Sequence, residues 1–298
     1  MLRFLPAPIL MVISASLAII NTAFIGTLVT ICGVFKLLVP KQLYPQVSRI
    51  TNFLMWCWSE VNRAIFKLVN NTAFVIEDNS KLSKKSWYLM ICNHQSWADI
   101  VLLCMLFGSR IPMPKFFLKQ QLLYVPFVGL ACWALDMPFM RRYSRQYLLK
   151  HPEKRGKDLE STKRSCEKFK NTPTTVINFV EGTRFTKQKQ RKSHSNYQHL
   201  LPPKALGIAY TLSALGEQFD QIIDVTLAYP GTTETLPPFK ALLSGKLDKV
   251  VVKVDTITIN QELRGDYLQD KQFKRHFKLW LDGTWQNKDQ YLQTVLKD

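Results

Sequence analysis

The chain has 298 residues, of which 47% are hydrophobic and 21% charged, and its mean hydropathy is −0.06. This composition excludes a bundle of membrane spans, and the length allows one large domain with or without appended segments. The formal net charge of +18 indicates an anionic partner, for which nucleic acid and a negatively charged membrane surface are the usual classes.

An uncharged apolar run extends from Phe4 to Phe35, which exceeds the roughly 20 residues that cross a bilayer. The run is too long for a cleaved signal peptide, and only Arg3 precedes it as a charged residue. Its length is compatible with two arrangements. One is a single tilted span, and the other is a re-entrant helical hairpin in one leaflet that turns near Asn21 or Gly26.

Positive charge follows the apolar run at Lys36, Lys41 and Arg49, which predicts that the C-terminal side faces the cytoplasm. Residues 42–70 then carry apolar side chains at helical spacing. This stripe either packs on the following domain or lies at the membrane, with Trp56 and Trp58 at headgroup level. The stripe comprises Leu43, Val47, Ile50, Phe53, Leu54, Trp58, Val61, Ile65 and Leu68.

The remainder alternates between strand-like and helix-like segments. Apolar runs predict strands at 87–92, 174–180, 222–229 and 250–259, and helices are predicted at 97–107, 158–171 and 203–216. The tail from 266 to 298 is predicted to be helical with a break near Gly283. The predicted fold class is α/β, with a mixed, largely parallel sheet covered by helices and an N-terminal membrane helix or helical hairpin.

These patterns divide the chain into a membrane-anchoring apolar segment (residues 1–40), an amphipathic linking helix (41–72) and one large domain (73–298). The chain has six cysteines, and no two of them form a C-x-x-C pair. We therefore expect reduced, buried thiols in a cytosol-facing protein and no metal site. The cysteines are Cys32, Cys57, Cys92, Cys104, Cys132 and Cys166.

Two polar clusters follow predicted strands directly. His94 comes after the strand that ends at Cys92, and Glu181 comes after the strand that ends at Val180. Functional residues of open α/β sheets lie at the carboxyl ends of the strands. The two clusters are therefore predicted to share one edge of the sheet.

His94 and Asp99 form the most informative pair in the sequence. Residues five apart do not share one face of a helix, so we expect His94 in a loop and Asp99 in the first turn of the next helix. Ser96 with Asp99 resembles a capping box, which makes a purely structural cap one interpretation. The alternative is that Asp99 accepts the Nδ1 proton of His94 and leaves Nε2 as a base.

The sequence contains no G-x-S-x-G elbow that would place a serine nucleophile. The predicted nucleophile is therefore an alcohol of the substrate, which the imidazole of His94 would deprotonate.

At these residues the chain resembles the glycerolipid acyltransferases of the 1-acylglycerol-3-phosphate acyltransferase type. The segment Asn93–Asp99 resembles their N-H-x-S-x-x-D signature, and 119–129 is similar to their K-x-x-L-x-x-x-P-x-x-G block. Residues 139–142 resemble the arginine-ending second motif, 179–184 the E-G-T-R block, and 201–204 the proline-containing fourth motif. The L-P-P-K form of the last block, with the basic segment after Arg142, resembles a longer bacterial branch reminiscent of eukaryotic lysophospholipid and lysocardiolipin acyltransferases.

The resemblance implies that the large domain is an acyltransferase domain in which His94 is the base and Asp99 its orienting partner. It implies a lysophospholipid acceptor, most simply 1-acylglycerol 3-phosphate, with lysophosphatidylglycerol or lysocardiolipin types as alternatives. Acyl-CoA or acyl carrier protein would be the thioester co-substrate, with no cofactor and no metal. The residues implied to bind the acceptor's phosphate are Lys119, Arg142 (with Arg141 as the alternative match), Glu181, Gly182, Thr183 and Arg184.

Charge is unevenly distributed around these motifs. Residues 141–170 contain eleven Lys or Arg and four Asp or Glu, and residues 182–216 contain no Asp or Glu. These segments either meet anionic phospholipid and a polyphosphate donor or serve solubility alone. A nucleic-acid partner has no supporting motif. A non-catalytic lipid-binding protein would be expected to have lost the His–Asp pair. The predicted location is the bacterial inner membrane, with the catalytic domain facing the cytoplasm.

Overall fold

The computed structural model describes residues 2–140 and 172–297 of the chain. The main strands form a six-stranded sheet in the order β1–β8–β7–β2–β6–β3, in which β7 and β8 are antiparallel and every other neighbouring pair is parallel. Two further strands, β4 (Leu118–Lys119) and β5 (Phe139–Met140), pair with each other. The main strands are β1 Ala73–Asp78, β2 Tyr88–Cys92, β3 Pro114–Phe116, β6 Thr175–Phe179, β7 Gln221–Ala228 and β8 Lys249–Thr258.

Helices cover both faces of the sheet. The two faces follow from the alternation of side chains along buried strands, because Tyr88, Met90 and Cys92 join one core cluster whereas Leu89 and Ile91 join the other. The first cluster contains side chains of α1, α2, α3, α4 and α7, and the second contains those of α6 and α8. The helices are α1 Ala7–Leu38, α2 Tyr44–Val69, α3 Ala98–Phe107, α4 Val128–Ala134, α5 Lys187–Lys192, α6 Ala205–Leu215, α7 Pro238–Leu243 and α8 Lys271–Val295.

The predicted α/β class and the four predicted strands are confirmed, with bounds within about one residue of those expected. The helices predicted at 97–107 and 203–216 correspond to α3 and α6, and the one predicted at 158–171 lies outside the described residues. Strand β1 was not predicted from its pattern. It is a short edge strand whose Val75 and Ile76 stay exposed, so its sequence shows neither a buried run nor regular alternation.

Helix α1 runs without a break through Asn21 and Gly26, so of the two arrangements left open by the sequence the re-entrant hairpin is wrong. Both residues instead serve contacts between helices. The Asn21 side chain donates to the Trp58 carbonyl of α2 at 3.1 Å. Gly26 lies against the backbone of Phe127, where a Cβ would come within 2.8 Å of the carbonyl oxygen. A polar residue and a glycine in an apolar run therefore mark helix packing here.

Helix α1 is fastened to the large domain near both of its ends. The Ser14 hydroxyl donates to the Leu243 carbonyl at 2.6 Å, and Lys36 pairs with Asp136 at 2.6 Å. Within the described ranges, α1 is the one helix long and apolar enough to cross a membrane. Its outer face exposes large apolar side chains along its length: Ile9, Val12, Ile19, Ile20, Phe24, Ile31, Phe35 and Leu38.

The apolar stripe of α2 divides between the two roles that the sequence left open. Val47 is buried, and Leu54 and Trp58 pack on the core. The indole N–H of Trp58 also donates to the Thr22 hydroxyl of α1. Ile50 and Phe53 remain more than half exposed and extend the apolar surface of α1. The division of the chain at residues 40 and 72 stays a prediction.

The predicted break near Gly283 is wrong, because α8 continues through it. Gly283 is exposed and has no atom near the place that a Cβ would occupy, so no close contact requires a glycine there. Gly33 of α1 differs, since a Cβ would collide with the Cβ of Ala134 in α4. Gly33 and Gly283 are therefore a matched pair of helix positions: the first packs against another helix, and the second has space for a side chain.

Gly33→Ala is expected to lower stability by about 1–3 kcal/mol, because α1 and α4 would have to separate. Gly283→Ala is expected to raise stability by about 0.5–1 kcal/mol, because alanine loses less conformational freedom in a helix. Thermal unfolding of the two variants in detergent micelles would compare them. Equal effects of the two substitutions would contradict the close packing of α1 on α4.

Candidate active site

The carboxyl ends of three neighbouring parallel strands define the candidate site. His94 lies two residues beyond β2, Glu181 two residues beyond β6, and Tyr229 directly after β7. The two polar clusters predicted from sequence thus lie at one sheet edge. A backbone hydrogen bond also connects the two loops, because the Phe185 amide donates to the His94 carbonyl at 2.7 Å.

The Asp99 carboxylate is fully buried and accepts four hydrogen bonds. Its Oδ2 accepts from the Gln95 amide at 2.7 Å and the Ser96 amide at 2.9 Å, and it lies 2.7 Å from Nδ1 of His94. Its Oδ1 accepts from the Tyr229 hydroxyl at 2.5 Å. Asp99 lies in the first turn of α3, so the oxygen that binds the loop leading into the helix also contacts the histidine.

His94 lies in the loop before α3, with Nδ1 directed at Asp99 and an imidazole that is 14% exposed. Phe179 stacks on the imidazole, with ring centroids 4.0 Å apart and planes 16° from parallel. No hydrogen bond from the described residues reaches Nε2. Because a carboxylate on Nδ1 fixes the proton there, Nε2 is the ring nitrogen that can accept one.

Asn93 continues the sheet beyond the end of β2. Its side-chain amide donates to the Leu227 carbonyl and accepts from the Leu227 amide, both at 2.9 Å. The side chain thereby replaces a pair of strand hydrogen bonds where the backbone turns away toward His94. The asparagine before the histidine therefore has a structural reason to be there.

Both oxygens of Glu181 are engaged by backbone amides. Oε1 accepts from the His94 amide at 2.8 Å, and Oε2 accepts from the Leu201 amide at 3.0 Å. The carboxyl is buried, and burial raises its pKa to about 8 although the two amide donors oppose the rise. Glu181 thus connects the histidine loop to the segment before α6.

That segment is held in turn by helix α8. The Trp285 indole donates to the Leu201 carbonyl at 3.1 Å. The Asp289 carboxylate accepts from the amides of Gln198 and His199, both at 2.8 Å. The C-terminal helix therefore positions the backbone that Glu181 contacts.

The residues after Glu181 form a basic turn. Gly182 has a φ of 69°, a conformation that favours glycine. The Arg184 guanidinium lies 4.8 Å from the ring centre of Trp97, at the start of α3. Lys189 of α5 donates to the Thr183 hydroxyl and to the Arg184 carbonyl, both at 2.8 Å.

Lys119, on β4, is exposed and close enough for its charge to act on Lys189. Arg141 and Arg142 lie outside the described residues. Four side chains of the site were not singled out from sequence: Trp97, Phe179, Lys189 and Tyr229. Tyr229 is the last residue of a predicted strand and Phe179 the second-last of another, so the rule that located His94 and Glu181 also applies to them.

No metal cluster of three or more His, Cys, Asp or Glu side chains occurs in the ranges described. The five cysteines in these ranges are free thiols, of which Cys92 and Cys104 are buried and the others partly exposed. Cys166 lies outside the described residues.

A protein-family model for acyltransferases matches residues 73–228, which is more than half of the chain and contains His94, Asp99 and Glu181. The chain belongs to the acyltransferase family.

Relatives with acyltransferase names are similar in sequence, and one solved structure shares the fold. An uncharacterised acyltransferase of Saccharomyces cerevisiae is 28% identical over 236 residues, 69% of this chain and 58% of the yeast protein. Human 1-acyl-sn-glycerol-3-phosphate acyltransferase gamma is 23% identical over 302 residues, 97% of this chain and 74% of the human protein. The crystal structure of the 1-acyl-sn-glycerophosphate acyltransferase PlsC from Thermotoga maritima shares the fold, with a TM-score of 0.54, 18% identity and coverage of 94% of this chain and 95% of that one.

The Glu181 carboxyl gives a pH-dependent prediction. Its pKa is about 8 in the folded protein and near 4.5 when unperturbed, so the folded protein holds the proton more tightly than the unfolded chain. The carboxyl therefore contributes stability that is fully present below about pH 4.5 and is lost as the pH rises through about 8. Glu181→Gln removes this titration, at a pH-independent cost of about 1–3 kcal/mol for one mismatched amide donor.

The melting temperature of the wild type minus that of Glu181→Gln should thus fall as the pH is raised across this interval. Thermal unfolding in detergent at several pH values measures the difference. A difference that is constant or rises with pH would contradict the raised pKa.

Proposed function

We propose that the chain transfers a fatty acyl group from a thioester, acyl-CoA or acyl carrier protein, to the free hydroxyl of a lysophospholipid, with 1-acylglycerol 3-phosphate as the principal acceptor. The observation that carries the proposal is the His94–Asp99 pair. Its Nδ1 is fixed by a buried carboxylate, and its Nε2 is unoccupied by the described residues, at a sheet edge shared with a basic turn. Membership of the acyltransferase family supports the same reaction class.

In the proposed reaction, Nε2 of His94 takes the proton of the acceptor hydroxyl as its oxygen attacks the thioester carbonyl. The resulting tetrahedral oxyanion collapses, the C–S bond breaks, and the thiolate receives the proton from the imidazolium. Asp99 stabilises the imidazolium between these steps, and Phe179 restrains the plane of the ring. One ester forms for each thioester broken, and the enzyme is not acylated.

We assign the acceptor's phosphate to the basic turn of Gly182, Thr183 and Arg184, together with Lys119. Arg142, which lies outside the described residues, stays a predicted contact. The geometry favours a different role for Glu181 from the phosphate contact expected from sequence. Its two oxygens already accept hydrogen bonds from the amides of His94 and Leu201, and the carboxyl is buried. We therefore propose that Glu181 positions the histidine loop.

We propose that the exposed apolar faces of α1 and α2 hold the protein in a membrane, with the acyltransferase domain on the cytoplasmic side. The outward side chains of α1 support this, and Lys36 and the basic turn would lie beside anionic headgroups. A bacterial inner membrane as the location stays a prediction.

A second candidate is a remodelling acyltransferase that acts on a different lysophospholipid, of the lysophosphatidylglycerol or lysocardiolipin type. The L-P-P-K form of residues 201–204 favours it, because that form resembles the longer branch. A non-catalytic lipid-binding protein is disfavoured by the intact His94–Asp99 contact. Purified protein in detergent micelles, assayed against a panel of lysophospholipids with both thioester types, discriminates among the three.

His94→Ala should abolish acyl transfer and leave the protein in the membrane fraction after a high-salt wash, because the base is lost while the apolar faces are unchanged. His276→Ala, at an exposed position in α8, is the matched control and should retain full activity. Radiolabelled acyl transfer measures both variants. Normal turnover by His94→Ala would refute the mechanism, and release of the wild type by salt would refute the apolar anchoring.

A further inference from the structure

We propose that Lys189 is a specificity-determining residue, which makes the site prefer acceptors with a dianionic phosphate monoester over acceptors with a monoanionic phosphate diester. The inference rests on the proposed function and refines it, because both classes of lysophospholipid remain open as acceptors. Four features of the described residues support it: the fixed position of Lys189, its third N–H group, the neighbouring positive charges and the absence of an ion pair with a described carboxylate.

The position of Lys189 is fixed by its surroundings. Thr186 caps α5, and its hydroxyl accepts from the Lys189 amide at 3.2 Å. The ammonium donates to the Thr183 hydroxyl and to the Arg184 carbonyl. An ammonium has three N–H groups, and its contacts with the described residues use two of them, so the third is available to a ligand at the turn.

Two further cations lie close to this ammonium. Partial burial lowers the pKa of Lys189, and the positive charges of Arg184 and Lys119 lower it further. The buried Glu181 carboxyl opposes this shift and is the smallest of the four effects. None of the three side chains forms an ion pair with a carboxylate of the described residues. Cations that converge without a counter-ion repel one another, and a bound anion relieves that repulsion.

The charge on the phosphate determines how much Lys189, the third cation, contributes to the free energy of acceptor binding. A phosphate monoester has a second pKa near 6 and carries about −1.5 to −2 charges at pH 7. A phosphate diester carries a single negative charge and has an additional headgroup to accommodate. Because electrostatic attraction scales with the product of the charges, loss of Lys189 should weaken binding of the monoester more.

Lys189→Gln tests the inference in steady-state assays with lysophosphatidic acid and with lysophosphatidylglycerol. We expect the KM for lysophosphatidic acid to rise about tenfold with kcat unchanged. The KM for the diester should rise about threefold or less. Lys189→Arg should preserve most of the preference. Lys187→Gln, an exposed lysine two residues away on a different face of α5, is the control for general loss of positive charge and should leave the preference intact.

The pH dependence separates a charge effect from structural support of the turn. Below about pH 6 the monoester becomes a monoanion. The KM ratio between Lys189→Gln and wild type for lysophosphatidic acid should therefore shrink on going from pH 7.5 to 5.5. A ratio that does not change with pH would overturn the inference, as would equal losses on both acceptors or no loss on either.

Binding measurements keep the test independent of catalysis. Calorimetric titration of lysophosphatidic acid into the His94→Ala protein, with and without Lys189→Gln, should show weaker binding only for the double variant. Equal affinities would overturn the role of Lys189. A wild type that binds lysophosphatidic acid through Lys189 yet acylates no acceptor would refute the proposed function and leave this inference standing.

Discussion

The buried Asp99 carboxylate is the constraint on which the site depends. A buried charge is costly unless it is paired and hydrogen-bonded, and Asp99 meets this requirement with two backbone amides, the Tyr229 hydroxyl and Nδ1 of His94. The amides come from the turn that starts α3, so the start of this helix and the orientation of the imidazole are fixed by the same oxygen. Burial and the negative charge of Asp99 both raise the pKa of Tyr229, which keeps its hydroxyl protonated as a donor.

A second buried carboxyl, that of Glu181, connects the histidine loop to the rest of the domain. Glu181 links the His94 amide to the Leu201 amide, and α8 holds that segment through Trp285 and Asp289. The E-G-T-R block therefore combines two tasks. Its first residue supports the histidine loop, and its last residues present positive charge beside that loop. The same turn places the proposed phosphate site near the proposed base.

The sequence predicts the α/β class, four central strands and the edge on which His94 and Glu181 meet, because buried parallel strands are continuous apolar runs and their ends are marked by polar residues. It does not predict β1, whose side chains are half-exposed, or the continuity of α1 through Asn21. Whether an asparagine in an apolar run turns the chain or contacts a neighbouring helix depends on Trp58, which is distant in sequence. The contacts of Tyr229 and Lys189 likewise depend on tertiary packing that local patterns do not contain.

The central claim is that the negative charge of Asp99 makes His94 a base. Asp99→Asn tests it most directly, because the Tyr229 hydroxyl can turn from donor to acceptor and satisfy the new amide, which leaves the change in charge as the main difference. We expect the variant to keep its fold, as judged by circular dichroism and melting temperature, and to lose acyl transfer by about 10⁴-fold in kcat. A folded Asp99→Asn protein with a kcat close to that of the wild type would contradict the claim.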